Sequence, residues 1–265
     1  MGARCLPEFD ASRNRSLKRL GVVAALEAEA RAFCSSAQRD RSSNERRPGG
    51  GFSVLNDGSL LAVSGVGFGA ATAAARALAA APVSALMTFG LAGGLDPALK
   101  AGTVVLPTQV ISRDGARFAT CRSWQARLAA AVGTPYKAVG GILLSSPLAI
   151  ETPADKAIAF RDSGAVAVDM ESVAVAEIAA VHQLPFIAVR VIVDTASDVL
   201  PPAVIAASRT GRVKIGRLLE GILTAPGEIA ALIGLSLRYR AAMRSLRIVA
   251  ADSACAPRDS DTHLT

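Results

Sequence analysis

Eight short runs rich in Val, Ile and Leu recur along this chain, separated by Ala-rich stretches of helical length, and few architectures accommodate that alternation. The runs fall at about 20–26, 52–56, 60–65, 83–89, 103–112, 137–145, 165–169 and 186–193. They are continuous rather than alternating apolar and polar, which is the pattern of strands covered on both faces. Helices fit the intervening segments at about 27–37, 68–81, 121–132, 153–162, 171–183 and 211–223. The reading is a single α/β domain over 19–224, an α-β-α sandwich with a mixed central sheet. The stretch QRDRSSNERRPGGG at 38–51 is charged, Gly-rich and without apolar period, so it reads as a surface loop.

With 265 residues, 51% of them apolar, the chain can bury a core that needs no staple. Its cysteines, Cys5, Cys34, Cys121 and Cys255, are far apart and form no Cys-x-x-Cys or Cys/His cluster, so neither a zinc module nor a disulfide scaffold is expected. A reducing, cytoplasmic setting fits that usage. The apolar stretch after the basic segment SRNRSLKR is interrupted by Glu27 and Glu29, which argues against a secretory signal, and no stretch reads as membrane-spanning. Residues 1–18 read as a flexible basic N-terminus.

The net charge of +7 suggests nucleic acid until its distribution is examined. Residues 205–250 carry eight basic and two acidic side chains, and the first 20 residues carry five and two, so the remainder of the chain is slightly acidic. No broad basic face is left for nucleic acid. From 227 onward, Ile229, Leu232, Ile233, Leu237, Met243 and Leu246 recur at helical spacing with arginines between them. Residues 225–250 therefore read as a basic amphipathic helix. Such a helix packs on the domain or a partner subunit, or it lies against an anionic membrane surface. Residues 251–265 read as a disordered tail.

Two glycine strings follow apolar runs. Ser64-Gly65-Val66-Gly67-Phe68-Gly69-Ala70 opens an Ala-rich helix, and Phe89-Gly90-Leu91-Ala92-Gly93-Gly94 ends the run VSALMTFG. Glycines there serve tight strand–helix packing or let bare backbone approach a ligand. A dinucleotide cofactor is not expected, because no acid follows the first string until Asp96 to hold a ribose. If both strings form loops, they make one floor at the carboxyl ends of the sheet. Acids converge on the same ends: Glu29 after the first run, Asp169 and Glu171 in VDMES, and Asp194 closing RVIVD. Each alone reads equally as a helix-capping or solvated acid. Four together point to a site where partial burial would raise carboxylate pKa values. His182 reads as a helix C-cap and Trp124 as a packing or surface-anchoring residue; no Gly-x-Ser-x-Gly, His-Glu-x-x-His or Walker motif occurs.

Taken together, AALEAEA at 24–30, SGVGFGAA at 64–71, TFGLAGGL at 88–95, AVDMES at 167–172 and RVIVD at 190–194 resemble the nucleoside phosphorylase and nucleosidase superfamily. The DMES form of the fourth motif, LPP at 200–202 and the basic C-terminal helix are most similar to its hopanoid-associated phosphorylase branch. The resemblance implies cleavage of a purine N-glycosidic bond, and the branch implies release of adenine from adenosylhopane to give ribosylhopane. It implies that Asp194 protonates purine N7, that Glu171 binds the ribose 2′ and 3′ hydroxyls with Met170 under the sugar, and that Glu29 activates water beside Ser64. Gly65, Gly90, Ala92, Gly93 and Asp169 would line the substrate, and SSPLAIE at 145–151 would read the purine edge with Ala149 and Ile150.

Phosphorylases of this fold instead surround phosphate with arginines and a Ser or Thr. Glu29 is present and the glycine strings lack arginine, which favours water as nucleophile over inorganic phosphate as co-substrate; no resident cofactor or metal is expected. Arg190, Arg113 or a partner's arginine remain the candidates for a phosphate site. Ala149 stands where methylthioadenosine nucleosidases carry a stacking aromatic, and Val193 replaces the hydroxyl residue that often precedes the acid. The stretch 107–135 is short, which would open the 5′ side of the pocket to a large substituent. A homodimer is implied, and peripheral membrane contact through 227–250 would suit a lipid nucleoside. The alternatives are a soluble methylthioadenosine or adenosylhomocysteine nucleosidase, and a non-catalytic nucleoside- or lipid-binding module.

Overall fold

The computed structural model describes residues 19–35, 41–43, 51–133, 138–200, 228–252, 255–258 and 261. The expected basic N-terminus over 1–18, the helix at 211–223, most of the 38–51 segment and the two prolines of LPP lie outside the described residues.

The strands are β1 (Leu20–Ala24), β2 (Arg41–Ser43), β3 (Phe52–Leu55), β4 (Leu60–Val63), β5 (Ala85–Gly94), β6 (Val104–Val105), β7 (Gln109–Ser112), β8 (Arg117–Ala119), β9 (Ile142–Ser145), β10 (Ala165–Asp169) and β11 (Phe186–Asp194). The helices are α1 (Glu27–Cys34), α2 (Phe68–Ala79), α3 (Arg122–Val132), α4 (Pro153–Ser163), α5 (Ser172–Val181) and α6 (Glu228–Ala251). They build the expected α/β architecture around one mixed sheet, with the path β2-β3-β4-β1-β5-β10-β9-β7-β8.

The long strand β5 is the hub. Its first half pairs in parallel with β1, it pairs with β11 from Leu86 to Gly93, and its end pairs antiparallel with β10 through Gly93 and Gly94. Two cores flank the sheet. One gathers Phe33, Trp124, Met243 and Leu246 beneath α1, α3 and α6; the other gathers Ala71, Leu78, Val175 and Ile178 beneath α2 and α5. Helix α5 is apolar nearly all round because it is buried nearly all round, from Ser172 to Ala179. Each Val or Ile interred there contributes about 1.5–3 kcal/mol of apolar transfer.

Four expectations are corrected. The second glycine string is no loop: β5 runs straight through it to Gly94, because glycine is needed where side chains from neighbouring elements crowd against the strand. The run at 103–112 is two strands, β6 and β7, separated at Pro107, which has no N–H for a ladder. The segment read as a loop at 38–51 contributes the short edge strand β2, paired antiparallel with β3. The tail does not fray in its described part. Cys255, Pro257 and Asp261 are buried, and the Arg127 guanidinium donates to both Asp261 oxygens at 3.0 and 2.8 Å. A buried carboxylate with a forked cation and the Ser123 hydroxyl at 2.8 Å fixes a segment that composition alone leaves loose.

Helix α6 buries Ala242, Met243, Leu246 and Val249 against the domain and turns Arg240, Arg244 and Arg247 outward, as its period requires. Leu237, expected on the apolar face, is 61% exposed. Trp124 is fully buried and His182 caps α5, its N–H donating to Ile178 O at 3.1 Å.

Candidate active site

The carboxyl ends of β1, β4, β5, β10 and β11 converge, and each brings one piece of a polar cluster. Glu29 stands in the first turn of α1, immediately after β1. Its Oε2 accepts the Leu26 N–H at 2.9 Å and its Oε1 accepts the Leu91 N–H at 2.8 Å, so helix start and β5 are joined through one carboxylate. Burial pushes the Glu29 carboxyl up, opposed by the Arg190 charge and these N–H donors. Glu27, two residues earlier, is a solvated first-turn acid paired with Arg31 at 3.6 Å.

Gly90 makes the junction possible. A Cβ at this position would lie 2.6 Å from both Arg190 Nη1 and Glu29 Oε1. Arg190, from the middle of the apolar β11, is therefore beside Glu29. Its Nη2 donates to Thr88 Oγ1 at 2.6 Å and to Ser172 Oγ at 3.1 Å, and it pairs with Asp169 Oδ2 at 2.6 Å and Glu171 Oε2 at 3.8 Å. A fully buried guanidinium ringed by three carboxylates is a fixed cation, and pulling away any one partner leaves costly buried charge.

Asp169, expected to touch substrate, is committed to the protein. Its oxygens accept from the Ser145 and Ser172 hydroxyls and the Ser172 N–H while holding Arg190, so it opens α5 and anchors the arginine. Glu171 is freer. It accepts the Gly67 N–H at 2.8 Å, with Gly67 at φ +102° in the turn between β4 and α2. Burial, then the Asp169 charge, raise its pKa to about 7 against the pull of Arg190 and the Gly67 N–H. Met170 beside it is half-buried.

Ser64 and Gly65 leave β4 against the end of β1, their N–H groups donating to Ala24 O at 2.9 Å and Ala25 O at 3.0 Å. The Ser64 hydroxyl turns back onto Gly65 O at 2.7 Å. Ala92 is buried on β5, whereas Ala149 is half-buried and Ile150 is buried in the loop after β9.

Asp194 closes β11 and is buried. Gly93 leaves room for it, since a Cβ there would come within 3.1 Å of Asp194 Oδ2. Burial raises the Asp194 pKa, with Lys156 acting in the opposite direction and Asp198 in the same one. Lys156 was not singled out by the sequence. Nothing in ETPADKAIAF distinguishes it from a solvated helix lysine, yet it is fully buried with Nζ 2.6 Å from Asp194 Oδ2. Arg190 was considered only as a phosphate ligand, and Gly67 only as part of a glycine string. The signal for Arg190 was a lone cation inside an otherwise apolar strand, which needs buried anions to be tolerated. Arg113 is exposed in the turn between β7 and β8, in a hairpin apart from these contacts.

Gly90, against which Glu29 and Arg190 rest, and Gly93, against which Asp194 rests, are three residues apart on β5, about 10 Å along the strand. The partly committed Glu171 and the fixed Arg190 belong with Glu29, whose charge each of them feels. The arrangement brings buried carboxyl groups with raised pKa values, Glu29, Glu171 and Asp194, to the ends of these strands. Among the described residues no group of His, Cys, Asp and Glu is arranged to hold a metal ion.

Comparison with known proteins bears on the fold. The fold is similar to that of the Helicobacter pylori 5′-methylthioadenosine/S-adenosylhomocysteine nucleosidase bound to butyl-thio-DADMe-Immucillin-A, at 17% identity and TM-score 0.65 over 88% of this chain and 97% of that one. The Neisseria meningitidis enzyme of the same name, with methylthio-immucillin-A, gives 20% identity and 0.65 over the same shares. The futalosine hydrolase of Helicobacter pylori gives 16% identity and 0.66, again over 88% and 97%. No curated protein matches the sequence. The model of the phosphorylase superfamily matches residues 19–224, which span every group of the polar cluster. The chain belongs to the phosphorylase superfamily, and its enzyme class is that of a nucleosidase or nucleoside phosphorylase.

Proposed function

We propose that this enzyme hydrolyses the N-glycosidic bond of a purine nucleoside, and that its substrate is adenosylhopane, from which it releases adenine to leave ribosylhopane. The observation that carries hydrolysis is the state of Arg190. Its guanidinium is already occupied by Asp169, Glu171, Thr88 and Ser172 and lies against Glu29. Three carboxylates around one cation leave a field unsuited to a phosphate dianion and suited to a neutral water.

The chemistry takes these residues in the roles that the resemblance implies. As the C1′–N9 bond breaks, its electron pair moves into the purine ring and the ribose gains oxocarbenium character. Asp194 transfers a proton to purine N7, which makes the base a neutral leaving group. Water attacks C1′ and its proton passes to Glu29, whose raised pKa suits it to receive one. Glu171 accepts hydrogen bonds from the ribose hydroxyls, and its negative charge stabilises the developing positive sugar. Arg190 keeps Glu29 and Glu171 in place.

Two surface features support a lipid substituent at the 5′ position. Leu148, Val199 and Leu237 are 62%, 63% and 61% exposed. They sit on segments tied together by the Leu200 N–H donating to Glu151 O at 3.0 Å and by the Arg238–Asp198 pair at 3.3 Å, next to the turn that carries Asp194. Along the seam of α1 and α6 runs a groove of about 400 Å³ in which Arg31, Arg240, Arg244 and Arg247 surround Tyr239 and Met243. Arginines over apolar side chains suit peripheral contact with anionic lipid headgroups. No helix among the described residues is long and apolar enough to cross a membrane.

The test is adenine release, followed by chromatography, from adenosylhopane and from methylthioadenosine, each with and without inorganic phosphate. Phosphate-independent release from the lipid is expected. Strict phosphate dependence would overturn hydrolysis, and preference for methylthioadenosine would overturn the lipid substrate.

A further inference from the structure

The feature that hydrolysis as described leaves unexplained is Lys156. It lies in the first turn of α4, a helix whose start is set by Thr152, whose Oγ1 accepts the Asp155 N–H at 3.1 Å, and by Pro153 at its first position. From there the fully buried side chain reaches across to the end of β11. Its Nζ donates to Asp194 Oδ2 at 2.6 Å, to Thr195 O at 2.8 Å and to Asp198 O at 3.0 Å. An ammonium has three protons and three acceptors meet it here, so the cationic form is the one this pocket is built for.

We propose that Lys156 is a positioning residue for the leaving-group acid: it pins Oδ2 of Asp194, turns the remaining oxygen toward the purine site, and stabilises the carboxylate that forms as the proton leaves. The inference rests on the assignment of Asp194 as the acid. The proton balance is simple. The Asp194 O–H bond breaks, the N7–H bond forms, and the negative charge left on Asp194 faces an ammonium that keeps all its protons throughout. The stabilisation is greater in the transition state than before it, because the carboxylate is neutral beforehand and charged afterwards. The same turn supplies the other charged neighbours. Asp198 holds the Thr195 N–H and hydroxyl at 2.7 and 2.8 Å and is itself held by Arg238 of α6. Among the described residues, Lys156 is therefore the cation in direct contact with Asp194, and Arg238 balances Asp198.

Replacing Lys156 by Met keeps the length and removes the charge. The expected result is a loss of about 10- to 100-fold in kcat for adenine release, with KM changed less than about threefold. The alkaline limb of the kcat/KM profile, where Asp194 ionises, moves to higher pH, because the cation that lowers the Asp194 pKa is gone. A loss of kcat with the limb unmoved would overturn the proposal, because a purely structural lysine would give that result. Lys156→Gln retains a donor without charge and must move the limb in the same direction; it carries the test should the Met variant not fold. In the unaltered protein, the 15Nζ resonance of Lys156 is expected to remain that of an ammonium while shifting with the Asp194 titration, and a neutral amine signal at pH 7 would equally refute the assignment. Asp194→Asn separates the two claims. If it abolishes release while the lysine variants behave as wild type, the acid stands and the role of Lys156 falls; if it leaves release intact, the acid assignment itself fails.

Discussion

Gly90→Ala isolates the geometry on which the proposed nucleophile depends. The backbone at Gly90 is not in the left-handed region, so alanine meets no conformational penalty and the cost is steric. The new Cβ would stand 2.6 Å from Arg190 Nη1 and Glu29 Oε1 and 2.7 Å from Glu29 Cδ, roughly 0.8 Å inside ordinary contact at 3.4 Å. Neither neighbour is a flexible chain end. Arg190 is held by Asp169, Thr88 and Ser172, and Glu29 by the Leu91 and Leu26 N–H groups. Overpacking of this kind costs about 1–3 kcal/mol, a loss of a few degrees in Tm that leaves the protein folded. Function should suffer more, because a displacement approaching 1 Å at the group that activates water costs about 100-fold in rate. The assay is kcat/KM for adenine release beside a thermal melt followed by circular dichroism. Activity within threefold of wild type would refute the argument that Glu29 must hold this position. Gly69→Ala is the control: nothing lies within 4 Å of a Cβ there, so activity should be unchanged and stability equal or slightly higher.

The raised pKa of Glu171 gives a stability signature with a definite sign. Between about 4.5 and 7 the folded state binds this proton more tightly than the unfolded state, so its contribution declines as pH rises and is lost above about 7. The full effect is about 3 kcal/mol, and Glu171→Gln should therefore gain in Tm relative to wild type between pH 5 and pH 8; an equal difference at both pH values would contradict this. Asp261→Ala strands the Arg127 guanidinium, 14% exposed, and should cost about 3 kcal/mol in urea unfolding, whereas an unchanged midpoint would show that the tail's docking contributes nothing. Sedimentation with vesicles containing anionic lipid should recover the enzyme at low salt and lose the Arg244→Glu/Arg247→Glu variant; equal recovery of both would remove the α6 groove from membrane contact.

The alternation of apolar runs and Ala-rich stretches was enough to read the α/β class and most of the strands, because a strand buried on both faces has to be continuously apolar. The acids at the ends of those runs were legible too, since Glu29, Glu171 and Asp194 each stand at or just past the end of a mainly apolar run. What composition concealed was pairing. The string FGLAGG reads as a loop by its glycines, yet it is the middle of the sheet, and only the crowding of Glu29, Arg190 and Asp194 against β5 explains why side chains are excluded there. Asp169 and Glu171 look interchangeable in VDMES, but the hydroxyls of Ser145 and Ser172 commit the first and leave the second free.

The sequence by itself determined most of the strands and helices, and which acids close the apolar runs, because these follow from continuous apolar runs, from a period of 3.6 and from the cost of burying charge. Only the tertiary structure decided that Arg190 is ringed by carboxylates, that the chain end docks on α3 through Asp261, and that Lys156, 38 residues from Asp194 in the chain, is the cation at its side. Contacts of that separation depend on how β10 and β11 pair with β5 and how α4 packs beside them, and no local pattern in the chain encodes the meeting of their side chains.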